Sequence, residues 1–245
     1  NLEMVRTFSA ACTDCHENLH GAQKSLYMGV GGEGIGDYPS RMFAAQVTCD
    51  GCHTERQASV NAFHTESTGL PAAQACVDCH EPGFDTMLLD WEKSFRTLTR
   101  YVDDRVRSAT PGATSTDERA VMKQIRKNLD LVKFGKPAHN VEYAVKLLQF
   151  NVNELDKIDR KPAAQRPLEL RAPDAYCATM CHNRLGMPED LLFEDIAFPH
   201  ETHMVAVGED CGTCHSVEHH GETVLTLQNC NTCHHVEMES VEDRC

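Results

Sequence analysis

Aromatic residues are scarce in this chain of 245: they make up 6% of it, with a single tryptophan. Cores of ordinary domains draw much of their buried area from such rings, so something other than side chains is expected to fill the interior. No run of about 20 apolar residues occurs, and the sequence as it stands therefore lacks a membrane-spanning helix. Basic runs are absent as well, and a formal net charge of −14 leaves no electrostatic footprint for nucleic acid. The chain begins at Asn1 rather than Met, as removal of a signal peptide would leave it, and no N-terminal cysteine stands ready to accept a lipid.

What the chain has in excess is cysteine and histidine, 13 and 14 residues. Twelve cysteines form six close pairs: Cys12 and Cys15, Cys49 and Cys52, Cys76 and Cys79, Cys177 and Cys181, Cys211 and Cys214, and Cys230 and Cys233. A histidine follows each pair at once: His16, His53, His80, His182, His215 and His234. Five of the six are C-x-x-C-H, the attachment signature of c-type haem. The spacing follows from the chemistry: two thiols add to the vinyl groups on one porphyrin edge, and the next side chain binds the iron as proximal ligand. Structural zinc would need shared knuckles with no reason for the trailing histidine, and disulfides between such near neighbours would be strained. Cys245 is left over, a tail thiol or a candidate for an intermolecular disulfide in an oxidising compartment.

CATMCH (177–182) has one residue too many. It reads either as a haem site whose loop bulges by one residue, which the retained His182 favours, or as a decayed or metal-binding site with Thr179 or Met180 in the extra place. Counted as haem, it brings the expected cofactor set to six haem c.

Eight histidines remain as candidate distal ligands. His16 and His20 are four apart, so on a helix they leave one face and cannot clamp the same iron; His20 must serve another haem. The same holds for His200 and His203, three apart. The expected distal set is His20, His64, His139, His200, His203 and one of His219, His220 and His235. With histidines to spare, bis-histidine ligation is the default over Met.

The motifs cluster at both ends of the chain, and the stretch between them has a different character. Trp91, Phe95, Leu98 and Val102 recur at helical spacing over 90–106. STDE (115–118) reads as a capping box before Val121, Ile125, Leu129 and Val132. A third helix is expected from about Val141, with Asn140 as cap, until KPAAQRP (161–167) marks a linker. The expected fold is mainly α with much irregular structure: two haem-packed clusters around a helical insert, haems forming most of the core. The division expected is 1–85 as a three-haem module, 86–165 as the insert, and 166–245 as a second three-haem module. GVGGEG (29–34) matches a dinucleotide-loop pattern, but no strand precedes it and no helix follows; its glycines are expected to let the loop pass close over a porphyrin.

FPHETHMVAVGEDCGTCH (198–215) followed by CNTCHH (230–235) resembles the F-x-H-x-x-H…C-x-x-C-H…C-x-x-C-H-H pattern of class III multihaem cytochromes c and their three-haem relatives. The resemblance implies that His200 is the distal ligand of the haem on Cys211 and Cys214 and that His203 serves a neighbour. HNVEYAVKLL (139–148) is similar to a segment of nitrite-reductase-type multihaem proteins in which such a histidine can be an axial ligand. Those enzymes use C-x-x-C-K at their catalytic haem, which this chain lacks. The resemblance implies a periplasmic or extracellular multihaem cytochrome that relays electrons and is not an enzyme. Redox proteins with basic docking surfaces are the expected partners, with self-association into a filament or membership of a membrane-associated complex as further options. The alternative is an oxidoreductase acting on a small nitrogen or sulfur oxyanion at one open haem. A third option makes the helical insert a docking module.

Overall fold

The computed structural model describes residues 20–57, 68–80, 82–159, 166–182, 190–208, 210–216 and 222–234. The chain separates into two compact units, 1–165 and 166–245. Helices dominate the described residues, and the sheets among them are two antiparallel pairs of short strands.

The first unit is organised by three long helices. We number the helices α1 (Gly21–Met28), α2 (Phe84–Ala109), α3 (Thr116–Gly135) and α4 (Val141–Asp159). The last three pack against one another in pairs, joined by the short turns that antiparallel neighbours need, and α1 lies along α3. Their ends follow local chemistry. Ser115 Oγ accepts from Glu118 N at 3.0 Å while the Glu118 carboxylate accepts from Ser115 N at 2.8 Å, which closes the expected capping box. Asn140 Oδ1 caps α4 by accepting from Tyr143 N at 3.0 Å. Helix α2 starts earlier than its apolar periodicity suggests, at Phe84, because Gly83 at φ 109° supplies a turn that few other residues tolerate.

Apolar side chains from the three helices form a closed core: Phe95, Leu98 and Val102 of α2, Ile125, Leu129 and Val132 of α3, and Val145, Leu148, Val152 and Leu155 of α4 are all buried. Arg105 bridges α2 to α4, donating to Asp156 at 2.9 Å and Asp159 at 2.8 Å.

The GVGGEG loop behaves differently from expectation. Its glycines bring it against α3 and α4. A Cβ at Gly32 would sit 2.4 Å from Leu147 Cδ2 and 2.6 Å from the Tyr143 hydroxyl, and one at Gly34 would sit 2.2 Å from the Phe150 ring. Buried polar groups of the helices hold the loop in place. Gly32 N donates to Tyr143 Oη at 2.9 Å, Glu33 N donates to Asn128 Oδ1 at 2.7 Å, and Asn128 Nδ2 donates back to Glu33 O at 3.0 Å. The Asn140 amide donates to Tyr38 O at 2.8 Å. The helical insert is thus fastened to the motif-bearing segment that precedes it in the chain. Sequence reasoning missed this clamp; its signal was an asparagine, Asn128, on the apolar face between Ile125 and Leu129.

In the first unit, β1 (Glu55–Gln57) and β2 (Thr68–Leu70) pair between the second and third motifs. The second unit holds β3 (Asp190–Phe193), β4 (Ile196–Pro199), α5 (His200–Ala206) and α6 (Leu227–His234). Its buried apolar residues, among those described, are Leu170, Ala175, Tyr176 and Met180. Among the described residues, no helix is long and apolar enough to cross a membrane.

Candidate haem-binding sites

Of the expected site residues, Cys12, Cys15, His16, His64, His219, His220 and His235 lie outside the described residues, as does Cys245. Six of the remaining histidines fall into pairs. His53 and His139 have ring centroids 6.2 Å apart at an interplanar angle of 10°. His200 and His215 stand 6.1 Å apart at 84°, and His203 and His234 stand 6.0 Å apart at 44°. Each pair joins a histidine that trails a cysteine pair to one that does not.

The separation has a physical meaning. Two imidazoles bound on opposite sides of one metal, each through a bond of about 2 Å, place their centroids about 6.3 Å apart. Rings in direct face-to-face contact would lie far closer. The separations of the three pairs match that value, and two of the added histidines, His139 and His203, have their rings oriented by backbone carbonyls. His139 Nδ1–H donates to the carbonyls of Gly135 at 2.8 Å and Lys136 at 3.0 Å. His203 Nδ1–H donates to Pro199 O at 3.0 Å, with the Phe198 ring stacked 4.1 Å from its own. A ring held this way has its Nε2 lone pair available to a metal. Burial, only partly offset by the two carbonyl bonds, holds His139 below the usual imidazole range, so it stays in the neutral, metal-binding form. His53 and His20 lie close enough to deepen that depression.

Helix α5 places His200 and His203 one turn apart, and each meets the histidine of a different motif. His80 packs against Phe84 at 4.7 Å, at the start of α2. His20 stands at the N-terminal end of α1, and His182 closes the turn that carries Cys177 and Cys181.

The cysteines of different motifs lie close to one another. Ala72 N donates to Cys52 O at 3.0 Å, and the Cys52 thiol, pushed up by burial, is raised further by Cys76 and Cys79. The Cys177 thiol donates to the Cys211 sulfur, which with burial holds Cys177 protonated. Cys214, raised by burial, also feels Cys230. Attachment points of successive motifs thus adjoin within each unit.

Cys233 is one of three exposed cysteines among those described. Expected as the second attachment point of the last motif, it lies exposed on the final turn of α6, beside His234, and no described neighbour encloses it. Its partner Cys230 is half-buried and donates to Thr226 O at 3.9 Å. Cys49 and Cys79 are exposed in the same way, each in a pair whose other member is half-buried.

CATMCH forms a π-helical turn over Cys177–His182. The wider turn absorbs the extra residue. At about 100° per residue in an α-helix, C-x-x-C-H places its second cysteine and its histidine about 300° and 400° around the axis; at about 80° in a π-turn, C-x-x-x-C-H reaches about 320° and 400°. Met180, one of the three residues between the cysteines, is buried at 1% exposure and anchors the turn.

A mostly helical chain strung with C-x-x-C-H motifs resembles the multihaem c-type cytochromes, and its paired cysteines with their trailing histidines fit the attachment of haem c. More particularly, residues 3–81 match the family described as cytochrome c7 and related cytochrome c, a stretch that spans the first three motifs. That match lies at the opposite end of the chain from the 198–235 pattern that resembles class III cytochromes. Among solved structures, the chain is similar to one described as the crystal structure of outer cell wall cytochrome OcwA, at 23% identity and a TM-score of 0.45, over 59% of this chain and 34% of that one. The chain thus spans about a third of that protein's length. No curated protein matches it.

Proposed function

We propose that the chain is a six-haem electron-transfer cytochrome in which every iron is held by two histidines. The observation that carries this reading is the set of three imidazole pairs at 6.0–6.2 Å, each uniting a motif histidine with one from elsewhere in the chain. On this reading His16, His53, His80, His182, His215 and His234 are proximal. His139 completes the site on Cys49 and Cys52, His200 that on Cys211 and Cys214, and His203 that on Cys230 and Cys233. His20, His64 and one of His219, His220 and His235 complete the remaining three. The π-turn supports Cys177 and Cys181 as the sixth attachment pair. The exposure of Cys233 fits a thiol whose covering is the porphyrin edge it binds rather than the chain's own side chains.

Bound haem supplies a one-electron iron couple. The residues of the chain would set where that couple sits: the cysteines would hold the porphyrin, the histidines would ligate the iron, and backbone carbonyls aim His139 and His203. With two histidines on each iron no position would be left open to a substrate, so the protein would serve as a relay rather than an enzyme. The three-motif segments 1–85 and 166–245 act as the carrier modules, and the insert delivers His139. Since c-type haem is attached outside the cytoplasmic membrane of prokaryotes, a periplasmic or extracellular location follows from the same reading.

Intact mass before and after haem removal counts the haems, at about 600 Da each. His139→Ala tests the pairing. Its mass should show the same haem number as the parent, because Cys49, Cys52 and His53 remain, while electron paramagnetic resonance should show one iron in six turned high-spin. Uniformly low-spin irons in the variant would refute the assignment of His139.

A further inference from the structure

Charge is distributed unevenly along the chain. Residues 86–165 contain 15 of the 23 lysines and arginines but 11 of the 37 acidic residues, for a net +4, while 1–85 carries −7 and 166–245 carries −11. An acidic protein thus has one basic segment, and that segment is the haem-free helical bundle. An open groove of about 460 Å³ on the bundle gathers Arg96, Arg100, Arg107 and Lys133 around Asp103 and Asp104. The two aspartates are engaged by Arg107 and Lys133, the latter at 3.6 Å from Asp103. Arg96 reaches only Glu92, at 4.0 Å, and Arg100 has no ion pair among the described residues. Beside Lys133, Phe134 is 65% exposed, an apolar anchor next to a cationic groove.

The second unit carries a feature of the opposite kind. Strands β3 and β4 form a hairpin closed by Glu194 and Asp195, at φ 47° and 65°. Such a two-residue turn favours Asn and Gly; two acidic side chains there are held at some conformational cost, a pattern that points to use. Both are exposed, and beside them Leu192 is 74% exposed. The hairpin is a narrow acidic tip with an apolar flank.

We propose that the α2 groove is a docking surface for the 190–199 hairpin of a second copy of the chain. Glu194 and Asp195 meet Arg96 and Arg100, and Leu192 meets Phe134. Because groove and hairpin are different surfaces, the contact is head-to-tail and can repeat from copy to copy. The patch is small and rich in exposed charge, so the association is weak and falls as salt shortens the screening length.

Sedimentation velocity on the haem-loaded full chain tests this. The average mass should rise with protein concentration at about 0.01 M ionic strength, where the screening length is about 30 Å, and return to that of the monomer at about 1 M, where it is about 3 Å. Arg96→Gln/Arg100→Gln and Glu194→Gln/Asp195→Asn should each weaken self-association at least about tenfold, as expected when a charge pairing is removed from a small interface. Both variants should keep the parental haem spectrum. Mixed together, they should form dimers and nothing larger, since one intact groove faces one intact hairpin. A chain that stays monomeric at low salt, or either variant assembling like the parent, would overturn the proposal. So would a monomeric chain that binds polyglutamate through Arg96 and Arg100, which would assign the groove to a different acidic partner.

Discussion

Asn128→Ala is the substitution that most directly probes how the insert is fastened. Asn128 is fully buried, and its amide makes three hydrogen bonds: from Glu33 N at 2.7 Å, to Glu33 O at 3.0 Å and to Asn151 Oδ1 at 3.2 Å. Asn151, also fully buried, donates in turn to Ile125 O at 3.0 Å. Removing the amide loses about 1 kcal/mol for each bond and strands the Asn151 oxygen without its partner, at about 1–3 kcal/mol, so a loss of about 4 kcal/mol is expected. In urea that corresponds to a midpoint lowered by about 1–2 M, read on the helical signal of the first unit in the haem-loaded protein. Asn128→Ala/Asn151→Ala should cost less than the two single changes together, because the second removes a group the first has already orphaned. A single-variant loss below about 1 kcal/mol would refute the buried clamp, since that is the cost of a solvated bond.

Three further outcomes are expected. Arg105→Ala removes the α2 to α4 bridge to Asp156 and Asp159 and leaves two part-buried carboxylates facing each other; urea melts should show a loss of about 2 kcal/mol, well above that of an exposed pair. Glu118 is held below the usual carboxylate range by the N–H groups of Ser115 and Thr114. Its contribution is present above the unfolded value of about 4.3 and is lost as pH falls through the lowered folded value, so thermal melts of Glu118→Gln should show a shallower acid limb than the parent. Cys177→Ser/Cys181→Ser should lower the intact mass by about 600 Da, one haem; an unchanged mass would mean that CATMCH carries none.

The class III resemblance and the family match bear on different ends of the chain, for different reasons. The 198–235 pattern was legible because His200 and His203 stand at a fixed offset on one helix. The 3–81 match spans three motifs, a length that no single short pattern covers. The asparagines of the clamp were visible only as interruptions in an apolar face. Nothing local distinguishes such a residue from an unfavourable substitution until its partner, Glu33, is seen 95 positions away. The exposure of Cys233 was equally illegible, because a motif specifies which thiols stand together but not which of them the rest of the chain covers.

What the sequence by itself determined is whatever short-range chemistry dictates. Thioether attachment demands two cysteines and a histidine close together in the chain, so five C-x-x-C-H motifs, and CATMCH as a longer candidate, could be read off it. Capping residues and apolar periodicity likewise placed the three long helices, because helix ends and faces depend on neighbours three and four residues away. Tertiary structure alone decided which histidines meet. His53 and His139 are brought together across 86 positions by the glycine loop lying on α3 and α4 and by two backbone carbonyls that orient one ring. Tertiary structure also decided that the glycines at 32 and 34 lie against side chains of α4, a contact that no local pattern announces. The π-turn is the intermediate case: the extra residue was plain in the sequence, but only the winding of the backbone shows the wider turn that takes it in.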